Sequence, residues 1–125
     1  MRLMEFTGIT TQVLDQVEAY ADRLFSKLGI DVEFTRHFHD RLNDERNRKP
    51  ITPAELIRLF REVYHKHGKR IAELPDEAEA VMKDMRTDIN MPFVIDVNNK
   101  GELELIGKTI MRKPNFRTSN QEFTV

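Results

Sequence analysis

His37 and Arg41 lie four residues apart in a polar stretch, and an α-helix there would place them on one face. The same helix would carry Asp40 and Asp44 on that face and His39 and Arg46 on another. A histidine beside a fixed cation favours the neutral imidazole, which can act as a base near pH 7. A histidine and an arginine one turn apart on a polar helix are also typical of plain surface.

RNA cleavage by attack of a 2′-hydroxyl needs three groups. These are a base for the hydroxyl proton, a cation for the charge of the phosphorane and an acid for the leaving oxygen. His37 and Arg41 would supply the first two of these groups.

His65 and His67 form a second His-x-His pair, which raises the possibility of a metal site because imidazole is a common metal ligand. Alternate residues of a helix point about 200° apart, so neither pair can chelate one ion if both pairs are helical. We therefore expect no metal and no cofactor. Near the C-terminal end of its predicted helix, His65 can instead interact with the helix dipole.

Residues 108–117, KTIMRKPNFR, are basic and contain no acidic residue. As a strand they would place Lys108, Ile110 and Arg112 on one face and Thr109 on the other, unless Gly107 marks a bulge that shifts the phase. Two cations in register on one face would clamp a phosphate.

Phe116 is flanked by Lys113 and Arg117, and such an aromatic ring among cations can stack on a base in single-stranded RNA. The alternative is that Phe116 and Phe123 are core residues that close a sheet. The sequence leaves both interpretations open.

Hydrophobic spacing predicts the elements that would position these groups. Residues 10 or 11 to 28 have helical spacing with a hydroxyl cap ahead and Gly29 behind. The alternation of residues 30–35 predicts a short strand. Thr35 can cap a polar helix over residues 36 to about 48, and Thr52-Pro53-Ala54-Glu55 is a capping box for a helix that ends before Gly68.

Further along, Ala78, Val81, Met82 and Met85 have helical spacing and predict a helix within residues 72–86. Residues 92–97 and 102–112 predict a hairpin, because the intervening Asn-Asn-Lys-Gly supplies positive-φ positions for a tight turn. Residues 122–125 predict a short third strand.

The 125-residue chain has no cysteine, so disulfides, thiolate zinc sites and cysteine nucleophiles are excluded. It contains no apolar run long enough to span a membrane, and its start lacks the apolar core of a secretion signal. We expect one cytoplasmic domain. The net charge is only −1, but residues 73–88 are mostly acidic whereas 41–49 and 108–117 are basic-rich, so a local anion site is feasible.

The pattern resembles the RelE-like toxin and colicin/EndoU/barnase-like nuclease superfamily, and within it phage endoribonucleases of the RegB type. That group has a strand leading into H-x3-R-x4-R, then an Ile, a helix with an E-L/I-hydrophobic register and strands with Thr and basic residues. The matching residues are 32–35, His37, Arg41, Arg46, Ile51, 55–60, Lys108, Thr109 and Arg112. The ending T-x-M-R-K-x-x-F, residues 109–116, resembles small phage proteins of unassigned role.

By this resemblance, His37 corresponds to the general base or acid and Arg41 to a phosphate- or helix-orienting cation. Thr109 and Arg112 correspond to strand residues that line the cleft. The RegB-type pattern places a second histidine directly after the pair that matches Leu59-Phe60, where this chain has Arg61. His65, one turn later, is the candidate for the second catalytic imidazole.

We expect an α+β fold in which N-terminal helices pack on a small antiparallel sheet formed largely by the C-terminal part. An N-terminal helical element (1–29) would precede a RelE-like nuclease-type core (30–125). The expected function is metal-independent endonucleolytic cleavage of single-stranded RNA in the cytoplasm, the host's if the chain is phage-encoded. The expected catalytic residues are His37, Arg41, Arg112 and His65, and the expected RNA-binding residues are Arg46, Lys108, Thr109, Lys113, Phe116 and Arg117.

The alternative is a non-catalytic phage protein that retains the scaffold, as a virion or assembly component or as an adaptor with a protein partner. The acid-rich middle of the chain and the polar helical surface favour it.

Overall fold

A computed structural model describes residues 9–47 and 49–125 of the chain. In these ranges there are three α-helices and six strands. They are α1 (Thr11–Phe25), β1 (Ile30–Phe34), α2 (Arg36–Leu42), α3 (Pro53–Ala72), β2 (Glu79–Asp84), β3 (Ile89–Val97), β4 (Leu103–Gly107), β5 (Met111–Arg112) and β6 (Gln121–Thr124). Short 3₁₀ turns, Ser26–Leu28 and Glu45–Asn47, follow α1 and α2.

All six strands belong to one mixed sheet with the order β1-β4-β3-β2-β6, and β5 pairs with β3 beyond the end of β4. The predicted α+β class is confirmed. The sheet is antiparallel at its centre, as expected, but not at its two edges, because β1 pairs parallel with β4 and β6 parallel with β2. Long connections separate the partners of each parallel pair, and such connections permit parallel pairing.

The first helix and strand form as the sequence predicts. Thr10 caps α1 by accepting the backbone N–H of Val13 at 3.2 Å. The buried stripe of α1 consists of Leu14, Val17, Ala21 and Phe25. At Gly29, φ is +74°, and this left-handed turn directs the chain into β1. The stripe joins the same hydrophobic core as the sheet and α3, where the rings of Phe25 and Phe60 meet edge to face.

Helix α1 also protects the free edge of β1. The backbone N–H of Val32 donates to the Asp22 carboxylate at 2.8 Å, and that of Phe34 donates to the Glu18 carboxylate at 2.7 Å. These bonds occupy donors that an edge strand would otherwise offer to another chain.

Helix α3 begins at the predicted capping box, in which Thr52 Oγ1 accepts the Glu55 N–H and the Glu55 carboxylate accepts the Thr52 N–H. The predicted end before Gly68 is wrong, because the helix continues to Ala72. A Cβ at Gly68 would lie 2.9 Å from Cδ1 of Leu28. The glycine therefore permits close packing and does not terminate the helix.

The helix expected within residues 72–86 does not form, and this segment contains the strand β2 instead. A turn at Asp76 and Glu77, with φ of +67° at Glu77, precedes the strand. Three successive apolar residues of β2 are buried, namely Ala80, Val81 and Met82. A strand that is buried on both faces loses its alternation, so its apolar residues can also fit a helical period.

The hairpin of β3 and β4 and the terminal strand β6 are confirmed. The second arm of the hairpin is interrupted, however, since β4 ends at Gly107 and β5 begins at Met111. Lys108 is exposed whereas Ile110 and Arg112 are buried, so the predicted clamp of Lys108 and Arg112 on one face is wrong.

Helix α2 is shorter than expected. It ends at Leu42 because the side chain of Asp44 accepts the N–H of Arg46 and the side chain of Asn47 binds the last carbonyls of the helix. The predicted end at Arg48 lies outside the described residues. No helix in the described ranges is both long and apolar enough to cross a membrane.

Candidate functional site

The start of α2 is fixed to the end of β4 by Thr35. Its N–H donates to the carbonyl of Gly107 at 3.1 Å, and its hydroxyl donates to the carbonyl of Lys108 at 2.9 Å. The same hydroxyl accepts the N–H of Phe38 and so caps the helix. His37 in the first turn is therefore held beside the chain that leaves β4.

Gly107 allows α2 to approach the sheet closely. The rings of Phe34 and Phe38 stack with centroids 4.2 Å apart. A Cβ at Gly107 would lie 3.1 Å from the Phe34 ring and 3.4 Å from the Phe38 ring. The absence of a side chain at Gly107 thus sets the distance between the helix and the strand.

The end of α2 is fixed to β5 by the buried side chain of Asn47. Its amide donates to the carbonyls of Arg41 and Leu42 at 3.1 and 3.2 Å, and its oxygen accepts the N–H of Arg112 at 2.9 Å. Both ends of α2 are consequently attached to residues 107–112.

A cavity of about 570 Å³ lies between α2 and this segment. One wall consists of His37, Arg41, Asp44, Arg46 and Asn47, and the other of residues 109–114. Its volume falls in the range of about 300–1,000 Å³ that is typical of ligand sites. Six residues that were candidates from the sequence line it, namely His37, Arg41, Arg46, Thr109, Arg112 and Lys113.

Asp44 holds the two arginines of the first wall. Its carboxylate lies 3.2 Å from Nη1 of Arg41 and 2.9 Å from Nη2 of Arg46. The side chain of Arg46 is 73% exposed and that of Arg41 is 35% exposed, so both guanidinium groups keep contact with solvent. The carboxylate therefore orients two cations at the cavity while neutralising one of them.

Arg112 has a different environment from the other cations, because all five of its guanidinium N–H groups have protein acceptors. Nη1 and Nη2 bind the two oxygens of Glu55 at 3.1 and 2.7 Å. The remaining donors bind carbonyls of Lys49, Pro50 and Thr87. No donor is left for a phosphate, so we replace the expected phosphate-binding role of Arg112 with a structural one.

The ion pair also affects Glu55. Burial tends to raise the pKa of this carboxyl, but hydrogen bonds from Arg112 and from the Thr52 N–H, together with the charge of Arg112, bring the pKa below its ordinary value. Among the residues that the structure describes, and with Arg112 paired to Glu55, the cations left at the cavity are Arg41, Arg46 and Lys113, against the carboxylate of Asp44. The cavity therefore favours an anion.

The structure does not bring His65 to this cavity. It lies on the exposed surface of α3, where its ring meets that of Tyr64 edge to face at 5.3 Å. Ten residues of helix, about 15 Å at the rise of an α-helix, separate it from Glu55, the partner of Arg112 in the cavity lining. Lys108 also lies elsewhere and pairs with Glu79 at 3.5 Å.

Phe116 and Arg117 line a second cavity of about 210 Å³, and Lys113 belongs to both cavities. Phe123 is fully buried in the core, as one interpretation of the sequence expected, whereas Phe116 is only partly buried. The two phenylalanines thus differ in their surroundings.

The second histidine pair holds no metal-binding cluster. His67 Nε2 lies 2.9 Å from the carbonyl of Thr124. Among residues 9–47 and 49–125, no three His, Asp or Glu side chains are placed to hold a metal ion together.

Two polar residues of the site were not candidates for it from the sequence. Asp44 had a signal, since helical spacing puts it on the face of His37 and Arg41. Asn47 had none, because its importance depends on a contact with Arg112, which is 65 residues away in the chain.

We compared the chain with models of known protein families, with curated proteins and with solved structures, and none of the three comparisons found a match. Function is therefore inferred from the residues and geometry of this chain.

Proposed function

We propose that the protein is a metal-independent endoribonuclease of the RelE/RegB type that cleaves single-stranded RNA. The observation that carries this proposal is that His37 and Arg41 line the same cavity as Lys113. A base and two cations around one cavity supply the proton acceptor and the positive charge that attack of a 2′-hydroxyl on the adjacent phosphate requires, and solvent supplies the acid for the leaving oxygen.

In the proposed reaction, His37 accepts the proton of the 2′-hydroxyl while a bond forms between the 2′-oxygen and phosphorus. Arg41 and Lys113 stabilise the added negative charge of the phosphorane. The bond from phosphorus to the 5′-oxygen then breaks, and the leaving oxygen takes a proton from solvent. The products are a 2′,3′-cyclic phosphate and a 5′-hydroxyl.

Arg46 and Asp44 have supporting roles in this proposal. The exposed guanidinium of Arg46 captures the RNA backbone, and Asp44 holds it beside Arg41. Phosphate contacts of this kind weaken as salt concentration rises, because binding releases counterions from the nucleic acid.

The test is incubation of the protein with single-stranded RNA in EDTA, comparing wild type with His37→Ala. Loss of a general base should reduce the cleavage rate by about 10²–10⁴-fold. His39→Ala is the matched control, because His39 lies on the same helix but does not line the cavity. Cleavage that is unchanged in His37→Ala, or equally reduced in His39→Ala, would contradict the proposal.

The nature of the RNA ends gives a second readout. The proposed reaction leaves a 2′,3′-cyclic phosphate and cannot proceed at a nucleotide whose 2′-hydroxyl is methylated. Cleavage of DNA, or of RNA at a 2′-O-methylated nucleotide, would therefore refute the proposed step.

The second candidate function is binding without catalysis, as in a phage adaptor or assembly protein. It is favoured by one observation: among the described residues, His37 is the only imidazole at the cavity. RNA that wild type binds but leaves intact would favour a plain RNA-binding protein. A stable protein partner in a pull-down, without RNA binding, would favour the adaptor.

A further inference from the structure

The second cavity lies directly beyond Lys113. Its walls include Lys83, Met85, Asp88, Lys113, Phe116 and Arg117, and its volume is about 210 Å³. Because Lys113 also lines the larger cavity, the two cavities flank one cation. Pro114 lines the first cavity and Asn115 the second, so the chain passes from one to the other within two residues.

The backbone around the second cavity is fixed by hydrogen bonds. The N–H of Lys113 donates to the carbonyl of Asp88 at 2.8 Å, and its carbonyl accepts the Asn90 amide at 3.0 Å. The carbonyl of Phe116 accepts Nζ of Lys83 at 3.2 Å. Lys113 and Phe116 are thus held in a set geometry on the two sides of the turn between them.

Two apolar side chains give the cavity a surface suited to a flat ring. Phe116 is partly exposed, and Met85 is 64% exposed although it is a large apolar residue. Aromatic rings bind bases of single strands by stacking, and this binding tolerates any base. A cavity of 210 Å³ is smaller than the about 300–1,000 Å³ of sites that enclose a whole drug-sized ligand, so it suits one base better than a whole nucleotide.

The charges at the cavity also suit a nucleic acid. Lys83, Lys113 and Arg117 are its cations, and Asp84 and Asp88 are its acids. Asp84 is buried, and its carboxylate pairs at 2.9 Å with Arg58, which does not belong to the cavity lining. That pairing neutralises one of the two carboxylates, and the pairing of Lys83 with Glu122 at 3.4 Å neutralises one of the three cations. Among the described residues of the lining, Lys113 and Arg117 are left against Asp88, which is an excess of positive charge.

We propose that the second cavity is a subsite for the nucleotide next to the scissile phosphate. The base of this nucleotide stacks on Phe116, and Lys113 binds the scissile phosphate that connects the nucleotide to the first cavity. Arg117 contacts the following phosphate. The inference rests on the proposed function for its assignment of the scissile phosphate to the first cavity. Its consequence is that the substrate is an RNA strand of several nucleotides and not a single nucleotide.

The experiment measures binding of 2′-O-methyl RNA, which cannot be cleaved, so that the subsite is tested independently of catalysis. A fluorescently labelled hexanucleotide is titrated with wild type, Phe116→Ala and Phe116→Leu. Loss of one base–aromatic stack should weaken binding by about fivefold to about a hundredfold. The leucine variant retains apolar volume and guards against local misfolding, which thermal unfolding of each variant also detects.

Two controls make the result specific to the cavity. Tyr20→Ala removes an aromatic ring from α1, remote from the site, and should leave binding unchanged. A set of hexanucleotides, each abasic at one position, should include one for which wild type and Phe116→Ala bind equally, because the base that stacks is already missing.

Each outcome bears on a different proposal. Binding that depends on Phe116, without cleavage of ordinary RNA, would support the subsite and overturn the endoribonuclease. Cleavage by a protein whose affinity is unaffected by Phe116→Ala would overturn the subsite alone. A wild type that neither binds nor cleaves RNA would overturn both, and a loss on Phe116→Ala that persists with every abasic hexanucleotide would overturn the stacking role.

Discussion

The side-chain oxygen of Asn47 accepts the backbone N–H of Arg112 at 2.9 Å, and this bond joins the two walls of the candidate site. The amide of the same side chain binds the last carbonyls of α2. Asn47 is 4% exposed, so water cannot readily replace these partners. The position of Arg41 relative to Lys113 consequently depends on a residue that has no chemical role of its own.

Asn47→Ala should lower the free energy of unfolding by about 1–3 kcal/mol, because it leaves buried polar groups without partners. It should also slow any cleavage, by up to about 100-fold if α2 shifts by about 1 Å. Urea unfolding and the RNA assay measure the two effects. Asn99→Ala, in the exposed turn between β3 and β4, is the control. Equal stability of the two variants would contradict the role of Asn47.

The ion pair of Glu55 and Arg112 predicts that the stability of the fold depends on pH. The pKa of Glu55 is lower in the folded protein than its ordinary value of 4.5, so the unfolded chain binds the proton more readily. The pair therefore stabilises the fold above that pH and loses its contribution as pH falls below it. Glu55→Gln should be less stable than wild type at neutral pH, and the difference should shrink in acid.

Thermal unfolding from neutral to acidic pH measures this difference. Glu73→Gln, an exposed carboxyl at the other end of α3, is the matched control. If the difference in melting temperature between wild type and Glu55→Gln does not change with pH, the ion pair does not make the predicted contribution. Removal of the cation should destabilise the fold more than Glu55→Gln does. Arg112→Ala should lower the free energy of unfolding by about 3–5 kcal/mol, because it leaves a carboxylate without its partner.

Elements whose signals are local could be predicted from the sequence. The capping box at Thr52, the glycine turn at Gly29 and the hairpin around Asn98 each depend on residues within one turn of each other. Strand β2 could not be predicted in this way, because its burial on both faces is a product of tertiary packing.

In the candidate site, too, local features could be predicted from the sequence and long-range contacts could not. Helical spacing places His37 and Arg41 on one face, and both line the cavity. Spacing cannot reveal which groups the fold sets opposite them. Arg112 has the residue type of a phosphate ligand, but its donors are taken by Glu55 and by backbone carbonyls far away in the chain.

Gly107→Ala should destabilise the protein by about 1–3 kcal/mol through overpacking. The new methyl group would lie 3.1 Å from the buried ring of Phe34, which stacks on Phe38 and has little freedom to move. Phe34→Leu removes that ring, so the double variant should lose less stability than the sum of the two single variants. Strict additivity in urea unfolding would show that the ring does not limit the space at Gly107.

The environment of Glu104 predicts that stability depends on pH with a sign opposite to the effect of Glu55. A hydrogen bond with Glu33, burial, and the nearby charges of Glu33, Asp96 and Asp31 raise the pKa of Glu104 from 4.5 to about 7. Asp31 and Asp96 are its direct neighbours on β1 and β3. Between these pH values the folded protein binds the proton more readily than the unfolded chain, so stability should fall as pH rises from 4.5 to about 7.

Glu104→Gln should remove this fall, because a neutral amide replaces the carboxylate that is repelled at high pH. Above pH 7 the variant should therefore have a higher melting temperature than wild type, and this difference should vanish near pH 4.5. Added salt should reduce the gain by screening the carboxylates. Asp15→Asn, which removes an exposed acid from α1, is the control for net charge. If the two variants gain equally, the effect belongs to overall charge and not to the carboxyl pair.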